Sequence, residues 1–527
     1  MTPRARKILL YGLATALVLV VAAVVAADVY VRALVPRAKT RVVKALSDRF
    51  DADVQLASLS LRLLPVPTVD GGELVIRHRG WSDPKPLISI VHFSADASIR
   101  DLLLERDIVK TLKLHGLQID VPRHGGSLFS AGSQGSHPAQ EDKTALRIKI
   151  ETLIADGAVL QIEPKSAGKD PLRFDIEKLT MHSVGPGQPL QFRAVLQNPK
   201  PPGLIDTDGN FGPWQKEDPR DSVVVGRYAF SHADLSAFKG ISGILASSGS
   251  YHGSLENIGI DGTTDVPNFA LKRGGAPVHL VTEFHAIVDG TNGDTVLDPV
   301  NAHFLETNFV CQGGVVKEHA DAGKTVVLDA VTRGARMEDI LQLVLGDQKP
   351  ILKGNVDFRS KIVIPHGNAE VLDKLKLNGQ FKIFSAVFRS PRVEQKLETL
   401  SDRALGITKK QEAEEPPHTV ASDFVGRFML DDGIAHFSHL SFQVPGAQIK
   451  LAGDYNLRSQ QVHMQGLFRM HATLADTQSG IKRWLLKPFD RFFEKDGAGF
   501  EVPLALAGSR SHPEVSIEAF HHRFAMK

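Results

Sequence analysis

From Asp53 almost to the last residue, apolar and polar side chains alternate with a period of two, and this limits the fold more than any other feature. In DVQLASLSLRLLPVPTV, residues 53–69, the leucines at 59, 61 and 63 share one face of an extended chain. The same rhythm runs through GELVIRHRG, LISIVHFSADASI, HLVTEFHAIVDG, GNVDFRSKIVI, LNGQFKIFSAVF, DFVGRFMLDDGIAHFSHLSFQV and AQIKLAGDYNL. With 45 Gly and 29 Pro in 527 residues, these runs are punctuated as short strands are. A doubly wound α/β fold needs helices between strands and is excluded.

Two segments read as copies of one unit. Residues 110–120 (KTLKLHGLQID) and 151–161 (ETLIADGAVLQ) both run strand, glycine, strand. The glycine suits a tight turn or a bulge, where positive φ costs little. Leu112 and Leu114 before the glycine, with Leu117, Ile119 and Val121 after it, form one apolar face. Alternation alone fits a closed sandwich core as well as an open trough.

Helical patterns are few. Val42, Val43, Leu46 and Phe50 share a face after Pro36, and the 336–345 and 391–405 segments are amphipathic. Residues 477–493 (TQSGIKRWLLKPFDRFF) set Trp484, Leu485, Phe489, Phe492 and Phe493 among basic residues, fit to pack on the sheet, to cap a trough or to enter a membrane interface. The Gly/Ser-rich loop 124–145 and the charged loop 408–418 are expected to be exposed and mobile.

Residues 8–27 (ILLYGLATALVLVVAAVVAA) carry no charge over twenty positions. As a helix they extend about 30 Å, the thickness of a bilayer's hydrocarbon core. The run exceeds the apolar stretch of a cleaved signal peptide, so it is expected to remain as an anchor. Basic residues stand on both sides, Arg4, Arg6 and Lys7 before it and Arg32, Arg37, Lys39, Arg41 and Lys44 after it. Charge therefore does not set the orientation; the length of the chain that follows favours a cytoplasmic N-terminus.

Enzyme signatures are missing: the sequence has no HExxH, GxSxG, Walker or GxGxxG motif. One cysteine, Cys311, excludes an intramolecular disulfide and a thiolate zinc site. The segment Asp289–Asp294 reads as a hairpin turn, not a calcium loop. Asp206, Asp208 and Asp218 fall in a Pro/Gly-rich stretch read as a loop, with little promise as metal ligands. A net charge of +2 gives no basic face for nucleic acid. No catalytic residue, metal or cofactor is expected, and the chain reads as a non-enzyme.

In order along the chain, an apolar helix, a short helix and residues 51–69 (DADVQLASLSLRLLPVPTV) resemble the N-terminal module of the AsmA family. So do Pro86-Leu87-Ile88-Ser89-Ile90 and the 103–119 segment (LLERDIVKTLKLHGLQI). Toward the other end, residues 377–381 (LNGQF), 396–401 (KLETLS), 447–455 (AQIKLAGDY), 484–489 (WLLKPF) and 502–508 (VPLALAG) resemble an AsmA-type C-terminal region. The middle, about 200–330, matches only in β character.

The resemblance implies a single-pass bacterial inner-membrane protein with its bulk in the periplasm and a role in outer-membrane lipid homeostasis. Its fold would be mainly β: a transmembrane helix, then an elongated, curved antiparallel β-sheet, groove-like, with a few short amphipathic helices. Implied segments are a cytoplasmic tail (1–7), the transmembrane helix (8–27), an AsmA-like N-terminal module (28–123), the flexible loop (124–145), a central β region (146–330) and a C-terminal β region (331–527). The implied partners are phospholipid, the inner membrane and outer-membrane or envelope assembly components, without nucleic acid. Leu112, Leu114, Leu117, Ile119 and Val121 are the groove candidates, and Trp484, Leu485, Phe489, Phe492 and Phe493 the cap or interface candidates. An alternative is a non-enzymatic envelope assembly factor that binds outer-membrane protein precursors at open strand edges.

Overall fold

The computed structural model describes residues 35–40, 42–44, 46–47, 52–62, 68–78, 86–96, 108–121, 149–162, 172–184, 189–213, 222–254, 257–272, 276–289, 293–317, 323–345, 350, 352–367, 369–389, 391–405, 420, 422–472, 499–509, 512–519 and 522–526. The expected membrane helix at 8–27, the loops 124–145 and 408–418, and Trp484, Leu485, Phe489, Phe492 and Phe493 lie outside them. Among the described residues no helix is long and apolar enough to cross a membrane. What is described is mainly β: a large antiparallel sheet, open at its edges, with few helices. The chain divides into two compact units, residues 1–231 with 248–258, and residues 232–247 with 259–527.

In the first unit, helical residues 35–47 (α1, described except at 41 and 45) precede nine strands. These are β1 (Ala52–Arg62), β2 (Thr68–His78), β3 (Ile88–Asp96), β4 (Ile108–Val121), β5 (Lys149–Ile162), β6 (Leu172–Val184), β7 (Leu190–Pro199), β8 (Pro202–Phe211) and β9 (Val223–Asp234). Each pairs with its neighbour in sequence, antiparallel throughout except for β4 and β5, which run parallel. Parallel neighbours need a crossover of a dozen or more residues, and residues 122–148 separate these two.

The two copies read from the sequence lie side by side in the register of their own alignment, Thr111 beside Thr152 and Leu112 beside Leu153. Neither copy is a hairpin. Gly116 and Gly157, with φ of 65° and 67°, sit inside continuous strands. The left-handed glycine shifts the side-chain phase by one, so Leu114 and Leu117 are both buried although three residues apart.

The core of this unit gathers Leu56, Leu74, Ile90, Leu114, Leu117 and Leu179 on one sheet face. Val42, Val43 and Leu46, the apolar face expected for α1, pack on it. Lys39 Nζ donates to the Ala57 carbonyl at 2.9 Å and ties the helix to β1. Asp206 and Asp208 are not in a loop. Both point from the middle of β8, where Arg193 holds Asp206 at 3.0 Å and Arg227 holds Asp208 at 3.1 Å. Pro and Gly around them concealed a strand.

The chain continues with β10 (Ile241–Ser242) and β11 (Ile244–Ser254), whose residues 248–254 belong to the first unit, and the second unit goes on through β12 (Asn257–Leu271), β13 (Val278–Val288), β14 (Thr295–Phe304), β15 (Thr307–Lys317) and β16 (Lys324–Arg336). After helix α2 (Met337–Leu345) come β17 (Leu352–Ile364), the single-turn α3 (Val371–Lys374), β18 (Lys376–Phe388) and helix α4 (Pro391–Ala404). Last are β19 (Ser422–Asp431), β20 (Ile434–Val444), β21 (Ala447–Asn456), β22 (Gln461–Met470), β23 (Phe500–Ser509), β24 (His512–Ala519) and β25 (His522–Met526).

From β13 to β25 every strand is antiparallel to the next. Register shifts recur at 284/286, 297/300, 332/335, 353/355, 383/386 and 437/440. Such bulges bend their strand and increase local twist. Asp289 and Asp294 close the β13–β14 hairpin, in keeping with the turn expected from the sequence: the Asp289 amide donates to the Asp294 carbonyl at 2.9 Å, and Gly293 has φ 72°.

Candidate functional site: the apolar sheet face

The alternation of β18 shows how the sheet of the second unit divides its two faces. Lys376, Asn378, Gln380 and Lys382 are exposed, whereas Leu377, Gly379 and Phe381 are half-buried and Ile383 is buried. On β19, Asp423, Arg427 and Asp431 are exposed while Phe424 and Phe428 are half-buried. One face is therefore charged and the other apolar across adjacent strands.

Phenylalanines dominate the apolar face. Phe358, Phe381, Phe428 and Phe437 come from four consecutive strands, β17 to β20, and each of the first, second and fourth rings lies 6.2 Å from Phe428. A second row joins Phe388 to Phe424 at 6.1 Å and Phe424 to Phe442 at 4.7 Å. These separations suit edge-to-face and offset ring contacts.

Glycines stand opposite three of these rings, and at one of them the glycine makes room for the ring. Phe381 pairs across the sheet with Gly426, Phe428 with Gly379, and Phe437 with Gly453. A Cβ on Gly426 would meet the Phe381 ring at 2.4 Å, so the ring lies on bare backbone. The first unit repeats the device once: Phe93 opposes Gly71, where a Cβ would meet the ring at 2.2 Å.

Covering is local. Met337, Ile340 and Leu341 of α2 pack on a buried cluster of Ala335, Leu352, Val356, Ile383 and Ala386. Leu397 and Leu400 of α4 pack on Val420, Val444, Ala447, Met470 and Val502. Phe358 and Phe381 border the first of these clusters; beyond both, Phe428, Phe437 and Leu451 stay half-buried. A filled sandwich core excludes water from such residues on both sides; these retain access from one. On β15, burial among this face's side chains pushes the Cys311 thiol up to about 11.

Such a face offers dispersion and hydrophobic contact without directional bonds, which suits long aliphatic chains. Among the described residues no group of His, Cys, Asp and Glu is arranged to hold a metal ion. The sequence-derived candidates lie in the first unit: Leu114 and Leu117 are buried, and Leu112 and Ile119 pack against the same cluster, which α1 partly covers. The side chain of Val121 lies outside the described residues. The phenylalanine rows were not anticipated, although Gly379-Gln380-Phe381 and Gly426-Arg427-Phe428 stand in the sequence as a repeated Gly-x-Phe on adjoining strands. No family model, curated protein or solved structure matches the chain.

Proposed function

We propose that the chain is an inner-membrane-anchored periplasmic protein that binds phospholipid acyl chains on its apolar sheet face and conducts them along it, serving outer-membrane lipid homeostasis. The observation that carries this reading is the half-buried row of Phe358, Phe381, Phe428 and Phe437, of which Phe428 and Phe437 lie outside the clusters that α2 and α4 pack on. The order of AsmA-like segments and the apolar stretch at 8–27 support the cellular setting. Burying one methylene is worth about 0.8 kcal/mol. An acyl chain moving from bilayer to sheet exchanges one apolar surface for another, so the face lowers the aqueous barrier without holding the lipid irreversibly.

The test places a photo-crosslinking p-benzoylphenylalanine at Phe428, with the same probe at Arg427 on the charged face as control, in the full chain in its native membrane. Phospholipid adducts at 428 and none at 427 are expected. Equal labelling at both, or none at either, refutes the reading. A second reading, an assembly factor for outer-membrane protein precursors, draws on the open edges. Among the described residues β1 pairs only with β2 and β25 only with β24. Precursor adducts from probes in β25, with no lipid adduct at 428, would favour it.

A further inference from the structure

On the charged face of the second unit, a concavity of about 530 Å³ opens over β16 to β21. It forms where β20 carries an extra residue: Arg427 pairs with His439 but Phe428 with Phe437, leaving Ser438 unpaired in the ladder. The bulge bends the strand and dishes the surface. Arg359 and Lys361 of β17 and Arg427 of β19 line the dish, with the amides of Asn378 and Gln380 between them on β18.

Register places these groups as a set. Arg359, Gln380 and Arg427 are consecutive cross-strand partners, so the two arginine backbones stand two strand spacings apart, about 10 Å. Lys361 lies two residues along the same strand face as Arg359. Asp329 is the cross-strand partner of Lys361, yet the two side chains form no ion pair. The other carboxylate lining the dish, Asp454, is held by His436 Nδ1 at 2.6 Å. Among the described residues, Arg359, Lys361 and Arg427 thus face the dish without a carboxylate partner.

We infer that this dish binds a phosphate ester carried on a small hydroxyl-bearing body. Two guanidinium forks and an ammonium match a phosphate's acceptor oxygens. Asn378, Gln380, Ser438 and Asp329 supply donors and acceptors for hydroxyl groups. The chemistry is shared by a free glycerol phosphate and by a glycerophospholipid headgroup. Phe428 and Phe437 also border the concavity, but Arg359 and Arg427 alternate to the other side of their strands, so replacing the arginines leaves the acyl-chain face in place and the two failures are separately visible.

The test is titration calorimetry on the full chain in an uncharged detergent, with glycerol phosphate in one arm and dihexanoyl phosphatidylglycerol below its micelle concentration in the other. Saturable binding is expected in at least one arm, weakened about ten-fold or more by Arg359→Ala with Arg427→Ala. Arg359→Lys with Arg427→Lys keeps the charge but not the fork and falls between. Tighter binding of the lipid identifies a headgroup as the ligand; equal or tighter binding of glycerol phosphate identifies the free ester. Both arginines are exposed, so unchanged circular dichroism and melting are expected of the variants. No saturable binding in either arm, or binding that the double alanine variant leaves unchanged, overturns the proposal.

Discussion

Gly426 and Cys311 show how little slack the apolar face leaves at single positions. Adding a side chain at Gly426 drives it into the Phe381 ring. Gly426→Val is expected to destabilise the second unit by about 1–3 kcal/mol, the usual cost of overpacking, as read by urea unfolding. Phe381→Ala in the same chain should relieve part of that cost, because the clash has one named partner. Cys311 gives a pH signature. Its thiol is raised by burial from 9.0 to about 11, so the folded state favours the neutral form. A raised folded value means full stabilisation below pH 9, lost as pH climbs toward 11. The difference in stability between native chain and Cys311→Ala should therefore shrink by about 2–3 kcal/mol across that window. An unchanging difference would mean that the thiol is not buried in the folded chain.

At the scale of elements, α2 is tied at its start to the β14–β15 turn by a buried carboxylate. Asp339, in its first turn and buried, accepts from the Glu306 amide at 3.0 Å and the Thr307 hydroxyl at 2.8 Å. The Thr307 hydroxyl in turn accepts from the Arg336 amide at 3.0 Å. Removing Asp339 leaves the Glu306 amide and Thr307 hydroxyl unsatisfied, each costing about 1–3 kcal/mol. Asp339→Ala should speed amide hydrogen exchange in 337–345 and in the 305–307 turn, measured by mass spectrometry, while β20 to β22 exchange as before. Exchange unchanged in 337–345 would show that apolar packing alone holds the helix.

The same scale shows what the sequence makes legible. Alternation identifies strands such as β18 and β19 because one face is charged and the other apolar. The helices at 337–345 and 391–404 are readable from their amphipathic spacing. The β8 strand is not, because Asp206 and Asp208 are polar, Gly209 interrupts, and what fixes them is arginine on neighbouring strands. Glycine within β4 is equally ambiguous: a hairpin and a phase-shifting kink both call for positive φ, and only the partner strand decides between them. The phenylalanine rows escape a one-dimensional reading for the same reason, since Phe381 meets Gly426 across forty-five positions of sequence.

For the whole molecule, the division of charge is the organising fact. In the second unit, a strand that places Phe428 on one side places Arg427 and Met429 on the other, so the two surfaces cannot be altered independently by shifting register. A slip of one residue would put guanidinium groups among the phenylalanines. The glycine-backed rings therefore guard register as well as fill space. From β13 to β25 each strand's partner is the next one to be made. A chain delivered from its N-terminal end can lay down this stretch one hairpin at a time, with no strand waiting on a distant segment. Loop closure between such neighbours is fast and entropically cheap. Assembly of this stretch is thus written as a local process that can follow the order in which the chain is made.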